Sequence, residues 1–495
     1  MPPRPHVTAI DEGLVMPTDS WATLLVDGQW RPGATAFEVV DPATVEPVGR
    51  AADGGAEDAL AALDAACAVA ESWRSVTAEE RGGYLRRAAA GIRDRVDSLA
   101  ALLTSENGKP LGESRAELLG SARMLEWSAE EARRAGGRVL PSSPNGPGLV
   151  VKAPVGPALA ITPWNFPASM LIRKIGLALA AGAPLIVKPA EQTPLIATEL
   201  VRILHDTGLP AGVLQSITTS RPAEVAGALL ADPRLRKVSF TGSTEVGLGL
   251  LRDTRTHLRR TSLELGGHSP AIVFADADLP AAAAGVVAAK FFNAGQSCIA
   301  VNRLYVHRSV HDELLDLIEE KVRALRVGHG AAEGTTTGPL IDQAGLDKVE
   351  RQVADAVAGG AQVRVGGGRW SGPAELKGAF FEPTVLTGVG DDLLITREET
   401  FGPVLPVYSF DTDDEAVTRA NDTQYGLAAY LFGRDLSRLW TAADRLDFGV
   451  IGVNDPAPVR PELPFGGMRN SGQEREGGAE GIEAFLETKA IAIKL

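Results

Sequence analysis

Among the side chains of this 495-residue chain, a thiol past its midpoint has the strongest claim to chemistry. Cys298 is one of two cysteines and stands in FFNAGQSCIA, residues 291–300, after a run of small residues. A thiol becomes a nucleophile only if its pKa is lowered or a base stands close by. A lone cysteine is also a common small core residue, so residue type alone leaves both readings open. Glu264, just ahead of Gly266 and Gly267, reads on its own as an ordinary exposed carboxylate. The stretch TGSTEVG, residues 241–247, follows a strand-like run and leads into a helix-like one. Its amides and the helix N-terminus could hold a pyrophosphate. The same Ser/Thr-x-x-Glu pattern caps many helices that bind nothing. Seven histidines without clustered spacing give no reason to expect a metal site.

Such groups need a scaffold, and the length allows two or three domains. Lys and Arg total 49 against 63 Asp and Glu, a net charge of −14, which disfavours nucleic acid or an anionic membrane as partner. Two cysteines make no disulfide framework and point to a reducing compartment; Cys67, in DALAALDAACAVA, reads as a helix core residue. The opening MPPRPHVTAIDEG lacks a basic-then-apolar leader pattern, and no apolar run reaches the roughly 18 residues of a membrane span. A cytoplasmic protein is expected.

Residues 24–36 read as a hairpin about Asp27-Gly28, and 57–74, 78–105 and 113–134 as helices, with Asn107-Gly108-Lys109-Pro110 interrupting the last two. Residues 136–155 form two β-like runs around a Pro/Gly/Asn turn, and the tail 484–495 has similar character. Between 157 and 250 the period changes. Strand-like runs at 158–162, 184–188, 212–216 and 236–240 alternate with helix-like runs at 168–181, 194–207 and 223–231. That alternation predicts βα units around a mostly parallel sheet, without the usual GxGxxG fingerprint. Further strands are predicted at AIVFA (271–275) and RLYVH (303–307), with a helix over 310–327.

Seven strings together carry a resemblance: TPWNFP (162–167), KPAEQTP (188–194), FTGSTEVG (240–247), LELGGHSP (263–270), FFNAGQSCIA (291–300), EETFGPV (398–404) and PFGGMRNSG (464–472). In this order and spacing the chain resembles the NAD(P)-dependent aldehyde dehydrogenases over nearly its whole length. The resemblance implies an α/β fold with a Rossmann-like cofactor domain (1–135 and 156–265), an α/β catalytic domain (266–479) and a β oligomerisation arm (136–155 and 480–495). It implies Cys298 as nucleophile. An aldehyde has no leaving group, so hydride departs only after attack makes a thiohemiacetal, and the resulting thioester must be hydrolysed. Asn165, with the Cys298 backbone N–H, would face the oxyanion, and Glu264 would be the base. His268, where relatives usually carry Lys, reads as a tolerated neighbour.

By the same resemblance Thr162, Trp164, Lys188, Glu191, Ser243, Glu399 and Phe401 would contact the cofactor. Glu191 can accept both ribose hydroxyls and would repel a 2′-phosphate, so NAD is expected, with NADP the weaker alternative that Lys188 could assist. WNFPASMLIRK (164–174) is similar to the pattern of succinate-semialdehyde dehydrogenases and puts Arg173 at their carboxylate-binding position. The second Arg of that group, six residues before the cysteine, is Phe292 here. Arg460, in DPAPVRPELPFGG, is either a substitute cationic contact or a solvent-facing loop residue. Met124, Trp127, Met170, Phe292 and Val459 are expected to line the entrance. The expected reaction is oxidation of a small aldehyde, a semialdehyde first and a broad aliphatic or aromatic aldehyde second. Glu264 and Glu399 together argue against the CoA-acylating branch, and the intact site residues against a structural protein without turnover. The β arm predicts self-association as a dimer or tetramer.

Overall fold

The computed structural model describes residues 21–143, 146–254 and 257–494. The leader reading of the first 20 residues, the turn at 144–145 and Leu495 lie outside them.

Short runs buried along their whole length and separated by helices build the core of the first sheet. Its order is Gly472–Gln473, Arg260–Glu264, Lys237–Thr241, Ala158–Ile161, Leu185–Lys188, Leu214–Ser216, Leu24–Val26 and Gln29–Arg31. The five strands from Arg260–Glu264 to Leu214–Ser216 are parallel, and the outer strands pair antiparallel. The predicted hairpin forms at the last edge, where Asp27 and Gly28 both take positive φ, 52° and 70°, as a two-residue turn between twisted strands requires.

The second sheet runs Gln362–Val365, Thr384–Thr387, Val404–Phe410, Val301–His307, Ser269–Val273, Ala428–Phe432 and Val450–Val453, all parallel beyond the first pair. A third sheet joins Arg138–Ser143, Gly146–Pro154 and Leu486–Ala492, so the chain's tail is the third strand of the projecting hairpin. Val139 on it is 74% exposed and Ile491 43%.

One helix expected over 78–105 is two, Ala78–Asp94 and Val96–Asn107, because Arg95 leaves helical geometry at φ −112°, ψ 14°. Apolar periodicity continues on both sides and gives no stop signal there. The break lets the second helix deliver Glu106 to the amides of Leu195 and Ile196, at 2.9 and 2.7 Å. Those amides open Pro194–His205, which has no side-chain cap of its own. Pro167–Ala181 is opened in the same way by Glu117, which accepts from Ala168 and Ser169 at 2.9 and 3.0 Å. Cys67 is half-buried on its helix against the core that includes Leu24 and Ile186. Among the described residues, no helix is long and apolar enough to cross a membrane.

Candidate active site

Strand order gathers the candidate residues. In the first sheet, Glu264 ends one strand, Ser243 follows the next, Thr162 to Asn165 the next, and Lys188 to Glu191 the next. All therefore sit at the carboxyl ends of adjacent parallel strands, where open α/β sheets hold ligands. In the second sheet the candidates precede their strands: Gly266 to His268 before Ser269–Val273, Cys298 before Val301–His307, and Glu399 and Phe401 before Val404–Phe410. Only four residues separate Glu264 from Ser269, so the two sheets meet end to end at the site.

The turn into Cys298 is held in an unusual backbone state. Asn293, Ala294 and Gly295 take φ of 50°, 54° and 74° in succession. Only the third is glycine, and a Cβ there would stand 2.2 Å from the Gly402 carbonyl. Strained positions persist where surroundings over-determine them. Here the Asn293 N–H donates to Glu113 at 2.8 Å, its side-chain amide donates to the Asn165 carbonyl at 2.9 Å, and Gln296 accepts from the Ile341 N–H at 2.8 Å. Gly267 is equally constrained, since a Cβ on it would lie 2.0 Å from the Cys298 carbonyl. Burial pushes the Cys298 thiol up to about 12, and the carboxylates of Glu399 and Glu264 add to this, with its own backbone N–H opposing. Alone, this thiol is protonated at neutral pH.

Asn165 is buried, and its side-chain amide donates to the Gln296 carbonyl at 3.1 Å, aligning it beside the thiol-bearing turn. Its backbone carbonyl accepts from Lys109 Nζ at 2.7 Å, and Asn107 holds the preceding Trp164 carbonyl at 2.9 Å.

Glu264 is buried at 2% exposure, and neither carboxylate oxygen has a hydrogen-bond partner in the protein. Burial raises its pKa well above the usual carboxylate range, and the charge of Glu476 raises it further against Lys174 and Arg173. Glu476 is itself ion-paired to the buried Lys174, whose Nζ also donates to Ser239 at 3.1 Å. A carboxyl placed thus can take a proton from a thiol or a water.

A cavity of about 450 Å³ opens over Cys298. Met124, Met170, Arg173, Phe292, Val459 and Arg460 line it. Trp127 is not among its lining residues: the indole N–H donates to the Gly478 carbonyl at 3.2 Å and the ring packs on the helical core. Phe292 stacks on Phe166 with centroids 5.7 Å apart and planes 10° from parallel. Arg460 pairs with Asp455 at 2.5 Å and is largely exposed at the rim. Arg173 is different. It is 7% exposed, lies over the Phe465 ring at 4.8 Å, and its Nε and Nη1 have no partner in the protein.

On the other side, Trp164 meets Phe401 edge to face at 5.5 Å, and Phe401 holds φ 53°. Glu399 accepts from the Gly267 N–H at 2.8 Å, and burial raises its pKa. Lys188 is buried and pairs with the part-exposed Glu191 at 3.2 Å. Ser243 is exposed and caps Thr244–Asp253 by accepting from the Val246 N–H at 3.3 Å. Val246 and Leu248 of that helix are 52% and 43% exposed, and Thr241 Oγ1, buried at the strand end before it, lacks a partner. A helix N-terminus, exposed apolar surface, a free hydroxyl and a carboxylate suit a dinucleotide's pyrophosphate, base and ribose.

His268 is fully buried, bonded to the Thr396 carbonyl at 2.9 Å, and burial lowers its pKa well below the usual range, so it is neutral. Among the described residues, no group of three His, Cys, Asp or Glu side chains could hold a metal ion. Sequence reasoning missed Lys109, Glu113, Glu117 and Asn293, which brace the site. Asn107-Gly108-Lys109-Pro110 reads only as a helix interruption, and no local pattern says that a lysine in a turn will be buried.

The family description "Aldehyde dehydrogenase family" matches residues 30–491. The mitochondrial succinate-semialdehyde dehydrogenase of Mus musculus is 46% identical over 470 residues, 94% of this chain and 89% of that protein. The glutarate-semialdehyde dehydrogenase of Pseudomonas aeruginosa is 43% identical over 471 residues, 94% of this chain and 96% of that protein. A crystal structure of an E. coli NADP dependent enzyme superposes with a TM-score of 0.93 at 42% identity, covering 96% of this chain and 98% of that one.

Proposed function

The chain belongs to the aldehyde dehydrogenase family, and from that premise we propose that it oxidises a semialdehyde, succinic semialdehyde or a close homologue, to the dicarboxylic acid with NAD. The observation that carries the substrate is Arg173: a buried guanidinium with two unpartnered nitrogens, lining the cavity that holds Cys298. An unpaired buried cation is costly, and a carboxylate is the partner that best offsets the cost.

Cys298 attacks the aldehyde carbon while Glu264 takes the thiol proton. Asn165 and the Cys298 amide stabilise the oxyanion, contributing roughly 3–4 kcal/mol for one such donor. Thr162, Trp164, Lys188, Glu191, Ser243, Glu399 and Phe401 would hold the dinucleotide, which supplies the hydride acceptor when bound. Once Glu264 has passed the thiol's proton to solvent, it deprotonates the water that hydrolyses the thioester, which disfavours CoA as acyl acceptor. Glu191 supports NAD over NADP, with Lys188 leaving some NADP use open. Residues 1–135 with 156–265, 266–479, and 136–155 with 480–495 serve as cofactor domain, catalytic domain and arm. The exposed apolar residues of the arm support a dimer or dimer of dimers, which a monomer mass by light scattering at micromolar protein would refute.

The test of substrate is initial rates for wild type and Arg173→Ala with succinic semialdehyde and uncharged aldehydes of matched length. A selective loss in kcat/KM of about tenfold or more, at least 1.4 kcal/mol, is expected for the acid-bearing substrate. Equal rates for both types, unchanged by the substitution, would favour the second reading, a broad aliphatic or aromatic aldehyde. The Phe166–Phe292 stack at the cavity is the observation behind that alternative.

A further inference from the structure

The turn that presents Asn165 is held by a cation that touches no reacting group. Lys109 is 1% exposed and is not among the cavity-lining residues. Its Nζ donates to the Asn165 carbonyl at 2.7 Å and to Glu117 Oε2 at 2.6 Å, and lies 4.3 Å from the centroid of the Phe166 ring. An ammonium has three hydrogens, and the carbonyl, the carboxylate and the ring face give it three acceptors. The other oxygen of Glu117 accepts the first amides of Pro167–Ala181. One charge thus grips residue 165 directly, residue 166 through its ring and residues 168 and 169 through Glu117.

The grip is anchored at both ends. A Cβ on Gly330 would stand 2.4 Å from the Lys109 carbonyl, and one on Gly338 would stand 2.1 Å from the Gly108 carbonyl. The Leu111 N–H donates to the Gly330 carbonyl at 3.0 Å, so the lysine backbone is wedged against the 330–338 segment. At the other end, the carbonyl that Lys109 holds also accepts from the Asn293 side chain. The residue with the amide and the turn with the thiol therefore share one backbone oxygen.

We propose that Lys109 is a positioning residue for aldehyde oxidation: by fixing the Asn165 carbonyl it sets the aim of the Asn165 side-chain amide at the oxyanion. This rests on the oxyanion role proposed for Asn165. It assigns Lys109 an effect on thiohemiacetal formation, read as the single-turnover rate of NADH formation, and none on cofactor affinity or on the thiol's reactivity toward iodoacetamide.

A double-mutant cycle tests it, read as the single-turnover rate of NADH formation from butanal or succinic semialdehyde, whichever wild type oxidises faster. Lys109→Met should lower that rate about 10- to 100-fold, the scale of a misplacement of the order of 1 Å. Asn165→Ala should lower it by about 10²- to 10³-fold. With both changes the rate should match Asn165→Ala alone within about twofold, because a residue acting only through another adds nothing once that one is gone. Lys109→Arg should recover part of the loss, while the Kd for NAD and the iodoacetamide rate at Cys298 stay at wild-type values in Lys109→Met. If Lys109→Met leaves too little folded protein by thermal melting, Lys109→Met with Glu117→Gln removes the lone buried carboxylate and takes its place in the cycle. An unchanged single-turnover rate, or a loss that persists in full on the Asn165→Ala background, overturns the proposal. An Asn165→Ala enzyme as fast as wild type removes instead the oxyanion reading beneath it.

Discussion

The two walls of the candidate site around Cys298 are built on opposite terms. Around Asn165 the polar groups are cross-linked: Lys109, Glu117, Asn293 and Gln296 tie its backbone and amide to two loops and a helix start. Around Arg173 and Glu264 they are left open, with two guanidinium nitrogens and both carboxylate oxygens unpartnered in the protein. Native interiors leave few polar groups in that state. The contrast separates two tasks. An oxyanion site works by being set before charge develops, so its donors must already be fixed. A group that takes up a proton, or meets a substrate's own charge, needs a free coordination position. One wall is therefore complete, and the other is completed by what binds.

The largest effect should come from closing the open wall. Glu264→Gln keeps the shape and removes the base. Turnover should fall by about 10²- to 10⁴-fold, and single-turnover NADH formation should fall with it, because the same carboxylate takes the proton of a thiol that burial keeps protonated. In wild type the rate should rise with pH as Glu264 loses its proton. Because burial and Glu476 hold its pKa well above the ordinary value of 4.5, that limb should lie above the usual carboxylate range and vanish in Glu264→Gln. Turnover unchanged by the substitution, across pH, would show that the open wall carries no base.

A smaller effect tests a group that is paired yet still part-exposed. Glu191 holds Lys188 in a charge pair at the end of its strand. Glu191→Ser should raise kcat/KM for NADP about tenfold or more and lower it for NAD, by relieving like-charge repulsion and leaving Lys188 to meet a phosphate. Steady-state kinetics with both cofactors measures it. An NAD to NADP ratio that does not move would assign Glu191 to holding Lys188 alone.

The open wall was more legible in sequence than the closed one. Cys298, Glu264 and Arg173 stand in the strings that carry the family resemblance, and βα alternation located the sheet ends that gather them. The bracing of Asn165 comes from residues 107, 109, 113, 117 and 293, up to 186 positions apart in the case of residues 107 and 293, and their types fit solvated turns and helix faces equally well. Their burial is a tertiary fact. Trp127 failed for a related reason: its place on Leu111–Glu131 put it near the cavity, but the Gly478 carbonyl drew its indole N–H elsewhere. The break at Arg95 was hidden because apolar spacing runs through it.

The smallest effect probes how far the closed wall's rigidity extends behind Lys109. His329 precedes Gly330, the residue wedged on the Lys109 carbonyl, and its Nε2 lies 2.8 Å from Asp41 Oδ2. The Ala331 N–H donates to its Nδ1 at 3.1 Å, so the neutral ring carries its hydrogen toward Asp41. The Asp41 bond raises the His329 pKa above its ordinary value of 6.5, and burial opposes it. A raised folded-state pKa means stability fully present below 6.5 and lost as pH climbs through the folded value. Protonation also costs the Nδ1 acceptor for Ala331, so the net should be small, under about 1 kcal/mol for a part-exposed pair. His329→Gln should therefore lower Tm by a few degrees at most near pH 6, with the gap to wild type narrowing toward about pH 8. kcat should stay within about twofold, because the backbone wedge at Gly330, rather than the imidazole, holds Lys109. A Tm gap that widens as pH rises would mean that burial, not Asp41, governs this histidine. A fall in kcat matching that of Lys109→Met would mean that the bracing of Asn165 begins at Asp41, one layer further from the chemistry than the contacts around Lys109 indicate.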